Sequence, residues 1–300
     1  VQAAKELPQI GPAEMSEALL SAKDLSVRFG GVLAVNKVSF DVRPGEVFTL
    51  IGPNGAGKTT VFNLISRIYT PTTGSITYLG KDLIAQAPHQ VASLGIARTF
   101  QNIELFEHAT VLHNLLIGGH TRRTTGFFIE LFFTQKTSEA ELLARERAEK
   151  VIEFLDLQHH RDSMVAGLPY GVRKVVEMAR ALCMQPKLLL LDEPSSGLNV
   201  EETEDMAFWI QDITQELGIT VLMVEHDMSL VSKVSDRVLA MNRGEMLAMG
   251  TPREVQNDPG VIEAYLGSVD DVSALRRVEH ISAEPPQGKI APSGGSAVRE

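Results

Sequence analysis

Lys58 and Thr59 close the run Gly52-Pro53-Asn54-Gly55-Ala56-Gly57-Lys58-Thr59-Thr60, which follows the apolar segment Val47 to Ile51. Glycines at this spacing let successive backbone N–H groups converge on phosphate oxygens, and Lys58 adds a point charge near the β and γ phosphates. The Thr59 hydroxyl is of the type that ligates Mg²⁺ there. A helix expected from Thr59 to Arg67 aims its positive end at the same place. A second reactive pair, Asp192-Glu193, follows the apolar run Leu188 to Leu191. Of two adjacent carboxylates at a strand end, Asp192 suits the Mg²⁺ shell and Glu193 suits a general base that deprotonates water for in-line attack on a γ-phosphate. Together the two motifs point to nucleoside triphosphate hydrolysis.

These groups need a scaffold, and the apolar pattern supplies one. Alternating residues in Leu20 to Phe29 and Val32 to Phe40, joined at Gly30-Gly31, predict a β-hairpin ahead of the phosphate loop. Gly74 to Leu79 reads as a further strand and Gly80-Lys81-Asp82 as a turn. Leu188 to Leu191 and Thr220 to Val224 are continuous apolar runs, as strands covered on both faces of a parallel sheet require, with a helix expected between them from Glu201 to Leu217. Val238 to Met241 and Glu245 to Met249 predict a closing hairpin. From about 102 to 168 helix-forming runs such as Glu139 to Leu155 dominate, which suggests an inserted helical subdomain. The expected class is α/β: a P-loop NTPase core with an N-terminal antiparallel β subdomain and an α-helical insertion.

Bulk composition narrows the partners. The 300 residues are 44% hydrophobic and 22% charged, as expected of a globular chain with a large core. A formal net charge of -10 argues against a general nucleic-acid binder, which needs a basic surface. The single cysteine, Cys183, lies in an apolar helical stretch, fits a reducing compartment and reads as core filling. No apolar run is long enough to span a bilayer, and residues 1–17 lack the charged-then-apolar pattern of a secretion signal. The chain is therefore expected on the cytoplasmic side, with 1–17 as an extension, 18–267 as one ATPase domain and 268–300 as a flexible tail rich in Pro, Gly, Ser and Ala.

With both motifs in place, the sequence from about Leu19 to Gly267 resembles the ATPase subunits of ABC transporters. The phosphate loop and Asp192-Glu193-Pro194 carry the match, with Gln101 in Arg98-Thr99-Phe100-Gln101, Gly197-Leu198-Asn199, and His226 after Val224-Glu225. The resemblance implies ATP and Mg²⁺ as ligands. It assigns Phe29 to stacking on adenine, Lys58 and Thr59 to phosphate and metal, Gln101 to Mg²⁺ and the attacking water, Glu193 to the general base and His226 to the γ-phosphate. The alternative reading of Phe29 is a core aromatic. The family's signature segment, usually Leu-Ser-Gly-Gly-Gln, corresponds to Leu168-Pro169-Tyr170-Gly171-Val172. Pro169 lacks both an N–H and the serine hydroxyl, leaving Gly171 and the N-terminus of a helix starting near Val172 as donors to a nucleotide held by an opposing subunit.

Within the family, Arg28-Phe29-Gly30-Gly31, Ala97 to Asn102 leading to Glu104-Leu105-Phe106, and Glu263-Ala264-Tyr265-Leu266-Gly267 look most like the importers of branched-chain amino acids. The resemblance implies a peripheral ATPase on the cytoplasmic face of the membrane. Its partners would be a second homologous ATPase subunit, two membrane permease subunits and, indirectly, an external solute-binding protein. Importers of amides, urea or aromatic acids are the alternatives within the family, and a nucleotide-dependent regulatory module is the alternative outside transport. The aromatic cluster Phe127 to Phe133 reads either as packing within the helical subdomain or as part of a permease-facing patch.

Overall fold

A computed structural model describes residues 18–101, 103–119 and 135–266. The N-terminal extension, the cluster Phe127 to Phe133 and the C-terminal tail lie outside the described residues. Two sheets organise the rest. Strands β1 (Leu20–Phe29), β2 (Val32–Val42), β4 (Thr73–Tyr78) and β5 (Lys81–Asp82) form an antiparallel sheet in the order β2-β1-β4-β5. Strands β3 (Val47–Ile51), β6 (Ile96–Arg98), β7 (Leu188–Asp192), β8 (Thr220–Val224), β9 (Arg237–Asn242) and β10 (Glu245–Gly250) form the second, in the order β10-β9-β3-β8-β7-β6. It is parallel except for β10, which returns antiparallel along β9.

The apolar runs of the parallel sheet are explained by what covers its two faces. On β7, Leu189 and Leu191 join one core with the helices, while Leu188 and Leu190 join another with the antiparallel sheet. On β8, Val221 and Met223 face the first core and Leu222 and Val224 the second. Period-two alternation thus divides each strand between two cores, and polar residues would be costly on either side.

Helix α1 (Lys58–Ile65) leaves the phosphate loop after β3. The insertion supplies α2 (Val111–Gly118) and α3 (Gln135–Phe154), which share a core with α4 (Tyr170–Leu182) through Leu112, Leu115, Ile152, Leu155 and Val176. Helices α5 (Val200–Gln215), α6 (Met228–Val234), α7 (Pro252–Gln256) and α8 (Pro259–Leu266) complete the described chain. No helix among the described residues is long and apolar enough to cross a membrane.

Two expectations shift. The turn lies at Leu79–Gly80, and Lys81 and Asp82 form a short strand against Tyr78 and Thr77 rather than part of the turn. Helix α4 begins at Tyr170, two residues before the expected start, because Pro169 with its extended backbone serves as the N-cap residue.

Cys183 is buried at the end of α4, and burial pushes its thiol up to about 12. Iodoacetamide at mildly alkaline pH should leave the folded chain unmodified and alkylate it only after unfolding in guanidinium, as read by mass spectrometry. Rapid labelling of the native protein would contradict this placement.

Candidate nucleotide site

The carboxyl ends of β3, β8 and β7 finish side by side, with Leu50 opposite Val224 and Val224 opposite Asp192. The segments that follow, Gly52 to Thr60, Glu225 to His226 and Glu193, therefore share one edge. This is where an open parallel sheet presents its ligands.

The loop Gly52 to Lys58 is held by its glycines. Gly52 (φ 146°) and Gly57 (φ 100°) lie in the region that disfavours side chains, and a Cβ would strike the Met241 carbonyl at Gly52 and the Ala34 carbonyl at Gly57. Ala56 N–H donates to the Pro53 carbonyl at 3.1 Å, and the Ala56 carbonyl accepts from Gly244 at 2.9 Å. Asn54, Gly55 and Thr59 are exposed and Thr60 half-buried, whereas Pro53, Ala56 and Lys58 are buried. The Lys58 ammonium curls over the loop and donates to the Gly52 carbonyl at 2.5 Å and the Pro53 carbonyl at 3.2 Å. The loop thus keeps a buried cation at its centre, with Thr59 and Thr60 opening the first turn of α1 beside it.

Opposite the loop stand the acids. Glu193 adopts a left-handed backbone (φ 50°), unusual outside glycine, and its N–H donates to the Val224 carbonyl at 2.9 Å. Its Oε2 accepts from Gln101 Nε2 at 3.0 Å and lies 3.9 Å from His226 Nδ1. Gln101, Glu193 and His226, far apart in sequence, are brought together here. Glu225 beneath them is fully buried, and its carboxylate accepts the N–H groups of Ser195 at 2.8 Å, His226 at 2.9 Å and Asp227 at 3.3 Å. Burial pushes its pKa up, against the pull of those donors.

Asp192 has a neighbour that the sequence reading left without a role. Arg98, at the end of β6, donates to Asp192 Oδ2 at 2.7 Å, to Asn63 Oδ1 at 2.8 Å and to Ser66 Oγ at 3.1 Å, and it stacks over Phe62 and Phe100. One guanidinium thereby joins α1 to the acidic strand end. Asp192 Oδ1 is buried without a hydrogen-bond partner, a costly state for a carboxylate oxygen and one that suits the hydration shell of a cation. Among the described residues no cluster of His, Cys, Asp and Glu large enough to cage a metal is present.

Phe29 is exposed rather than core, at the end of β1, with the Tyr69 ring edge-on at 4.9 Å. Tyr69 went unnoticed because it follows α1 in a loop, where spacing shows no pairing. Gly171 is buried in the first turn of α4 beneath the Glu202 side chain, and a Cβ there would strike Glu202 Oε1. Within this chain Gly171 makes room for Glu202, which forms a reciprocal cap with Asn199 at the start of α5.

Comparison with known proteins settles the family. Residues 35–196 match the family described as ABC transporter, and residues 245–271 match that described as branched-chain amino acid ATP-binding cassette transporter. The chain belongs to the ABC transporter ATP-binding proteins. It is 44% identical over 253 residues to the high-affinity branched-chain amino acid transport ATP-binding protein LivG of Salmonella typhimurium, covering 84% of this chain and 99% of the relative. BraF of Pseudomonas aeruginosa, described in the same words, is 42% identical over the same shares. Among solved structures, a nucleotide-free ATP-binding cassette from an ABC transporter superposes with a TM-score of 0.74 at 32% identity, covering 84% of this chain and 100% of that one. An ATP-binding cassette in its ADP conformation gives 0.73, also at 32% identity, with the same coverage. The fold is that of the ABC ATPases, and the chain is an ATP-binding, ATP-hydrolysing subunit of a transporter that works with membrane permeases.

The Arg98–Asp192 pair is shielded from water on both sides. Arg98→Met should lower unfolding stability by about 3–5 kcal/mol in denaturant titration, because it strands a buried carboxylate, and adding Asp192→Asn should recover part of that loss. A loss below about 1 kcal/mol would show that the pair carries little.

Proposed function

We propose that this chain drives an importer of branched-chain amino acids from the cytoplasmic face of the membrane, paired with a second homologous ATPase subunit and two permease subunits, with an external binding protein presenting the solute. The observation that carries the solute class is the match of residues 245–271 to the branched-chain family, which takes in β10, α7 and α8 rather than the nucleotide motifs shared by all ABC ATPases.

In the proposed reaction the backbone N–H groups of Gly55 and of Gly57 to Thr60 receive the triphosphate, and Lys58 exchanges its loop carbonyls for phosphate oxygens. Thr59, Gln101 and Asp192 would hold Mg²⁺, which when bound neutralises charge on the phosphate oxygens. Glu193 accepts the proton of the attacking water, and Gln101, already hydrogen-bonded to it, orients that water. His226, half-exposed beside Glu193, donates to the γ-phosphate. Phe29, with its ring open to solvent, stacks on adenine.

Source cells carrying Glu193→Gln in place of the wild-type chain should take up labelled leucine, isoleucine and valine at least ~100-fold more slowly at equal protein level, since removal of a general base costs about 10²–10⁴-fold. The purified variant should still bind ATP. Unchanged uptake of all three, with amide, urea or aromatic-acid uptake lost instead, would move the chain to one of those importers.

A further inference from the structure

Helix α4 begins with the Pro169-Tyr170-Gly171 segment and one turn later presents Lys174, Glu177 and Arg180 at intervals of three residues. All three side chains reach the backbone around Gln101. Lys174 Nζ donates to the Gln101 carbonyl at 3.3 Å and to the Glu193 carbonyl at 3.4 Å. Glu177 accepts from the Phe100 N–H at 3.2 Å. Arg180 donates to the Glu104 carbonyl. The helix therefore grips both arms of the segment that carries Gln101 and, through the same ammonium, the backbone of Glu193.

Lys174 and Glu177 are buried at 4% and 2% exposure. Burial lowers the pKa of Lys174 and raises that of Glu177, and each stands as a countercharge to the other. Two buried charges are an expensive way to pack a helix, and apolar side chains of similar volume would serve packing at lower cost. What apolar side chains cannot supply is a directional hold on carbonyl and N–H groups. The other end of the helix is keyed as closely to the segment after Glu193: Tyr170 lies against Gly197, where a Cβ would come within 2.8 Å of the ring, and Gly171 lies beneath Glu202. A helix is stiff, and Lys174 sits only about 6 Å along the axis from Tyr170.

We propose that Lys174 is a positioning residue that, with Glu177, ties the backbones of Gln101 and Glu193 to the signature-bearing helix, so that the placement of the water-orienting amide and the base follows the seating of Pro169-Tyr170-Gly171. The proposal rests on Glu193 as base and Gln101 as its partner. The hold acts on turnover and leaves the phosphate loop, which belongs to β3 and α1, untouched.

Lys174→Met keeps the length and volume of the side chain and removes the donor, while Lys174→Arg keeps the charge. With the 300-residue chain, Lys174→Met should lower kcat for ATP at least ~10-fold with the Kd for a fluorescent ATP analogue within about twofold, and Lys174→Arg should restore most of the rate. Hydrogen exchange at the Phe100 amide should quicken ~10-fold in Lys174→Met while α1 exchanges as in the wild type. Should Lys174→Met fail to fold, Glu177→Gln is read in the same way. Unchanged kcat, equal losses in kcat and affinity, no rescue by arginine, or unchanged exchange at Phe100 would each overturn the proposal. Glu193→Gln measured in parallel separates the two levels: turnover persisting there removes the base assignment, whereas the exchange result judges the Lys174 hold without reference to hydrolysis.

Discussion

The parallel register of β3, β8 and β7 is the constraint on which the rest of this structure depends. Because Leu50 pairs with Val224 and Val224 with Asp192, the three strands deliver the phosphate loop, His226 and the acidic pair to one edge. Side chains alternate along a strand, so a slip of one residue would turn Asp192 away and exchange the two apolar cores. The leucines and valines of these strands are divided so evenly between the cores that such a slip is opposed along their whole length. Hydrophobic burial thus fixes the placement of the site, although none of these buried strand residues takes part in it.

Bringing Asp192, Glu193 and Glu225 to one edge concentrates negative charge before any nucleotide arrives, and the fold answers with fixed donors. Arg98 takes one oxygen of Asp192, Lys174 approaches Glu193 from its backbone side, and three N–H groups hold Glu225. Donors held in this way need not reorganise during reaction, which is the economy of a preorganised polar site. One carboxylate oxygen, Asp192 Oδ1, is left over, and the Lys58 ammonium rests on carbonyls of its own loop. Both are groups whose partners a bound metal and triphosphate would complete in the proposed mechanism.

Much of this was legible before the structure, for a physical reason. Gly52 to Thr60 is a local motif whose glycines supply backbone angles the loop itself defines, although Gly52 and Gly57 also make room for carbonyls of β9 and β2. The parallel strands show themselves because burial on both faces leaves no polar position to interrupt Leu188 to Leu191. The hairpin Leu20 to Val42 shows alternation and a Gly-Gly turn. What stayed hidden depends on contacts between distant segments. Arg98 meets Asp192 across 94 positions, and Lys174 meets Gln101 across 73. A lysine amid the polar residues of an amphipathic helix looks like any solvated lysine until the facing backbone is placed. Phe29 was ambiguous because alternation gives a strand its faces without saying which end runs past the core. The contact of Gly171 with Glu202 stayed hidden for a similar reason, since Glu202 comes from the next helix.

In the proposed mechanism these three strand ends compose a single site for MgATP. Its most direct test is a crystal structure of the chain with a non-hydrolysable ATP analogue and Mn²⁺ in place of Mg²⁺, with the metal located by anomalous scattering. The expected map has one metal peak between Thr59, Gln101 and Asp192, the triphosphate under the N–H groups of Gly55 and of Gly57 to Thr60, and Lys58 drawn off the Gly52 carbonyl onto phosphate. A metal away from Asp192, or a triphosphate away from the Gly52 to Thr60 loop, would contradict it.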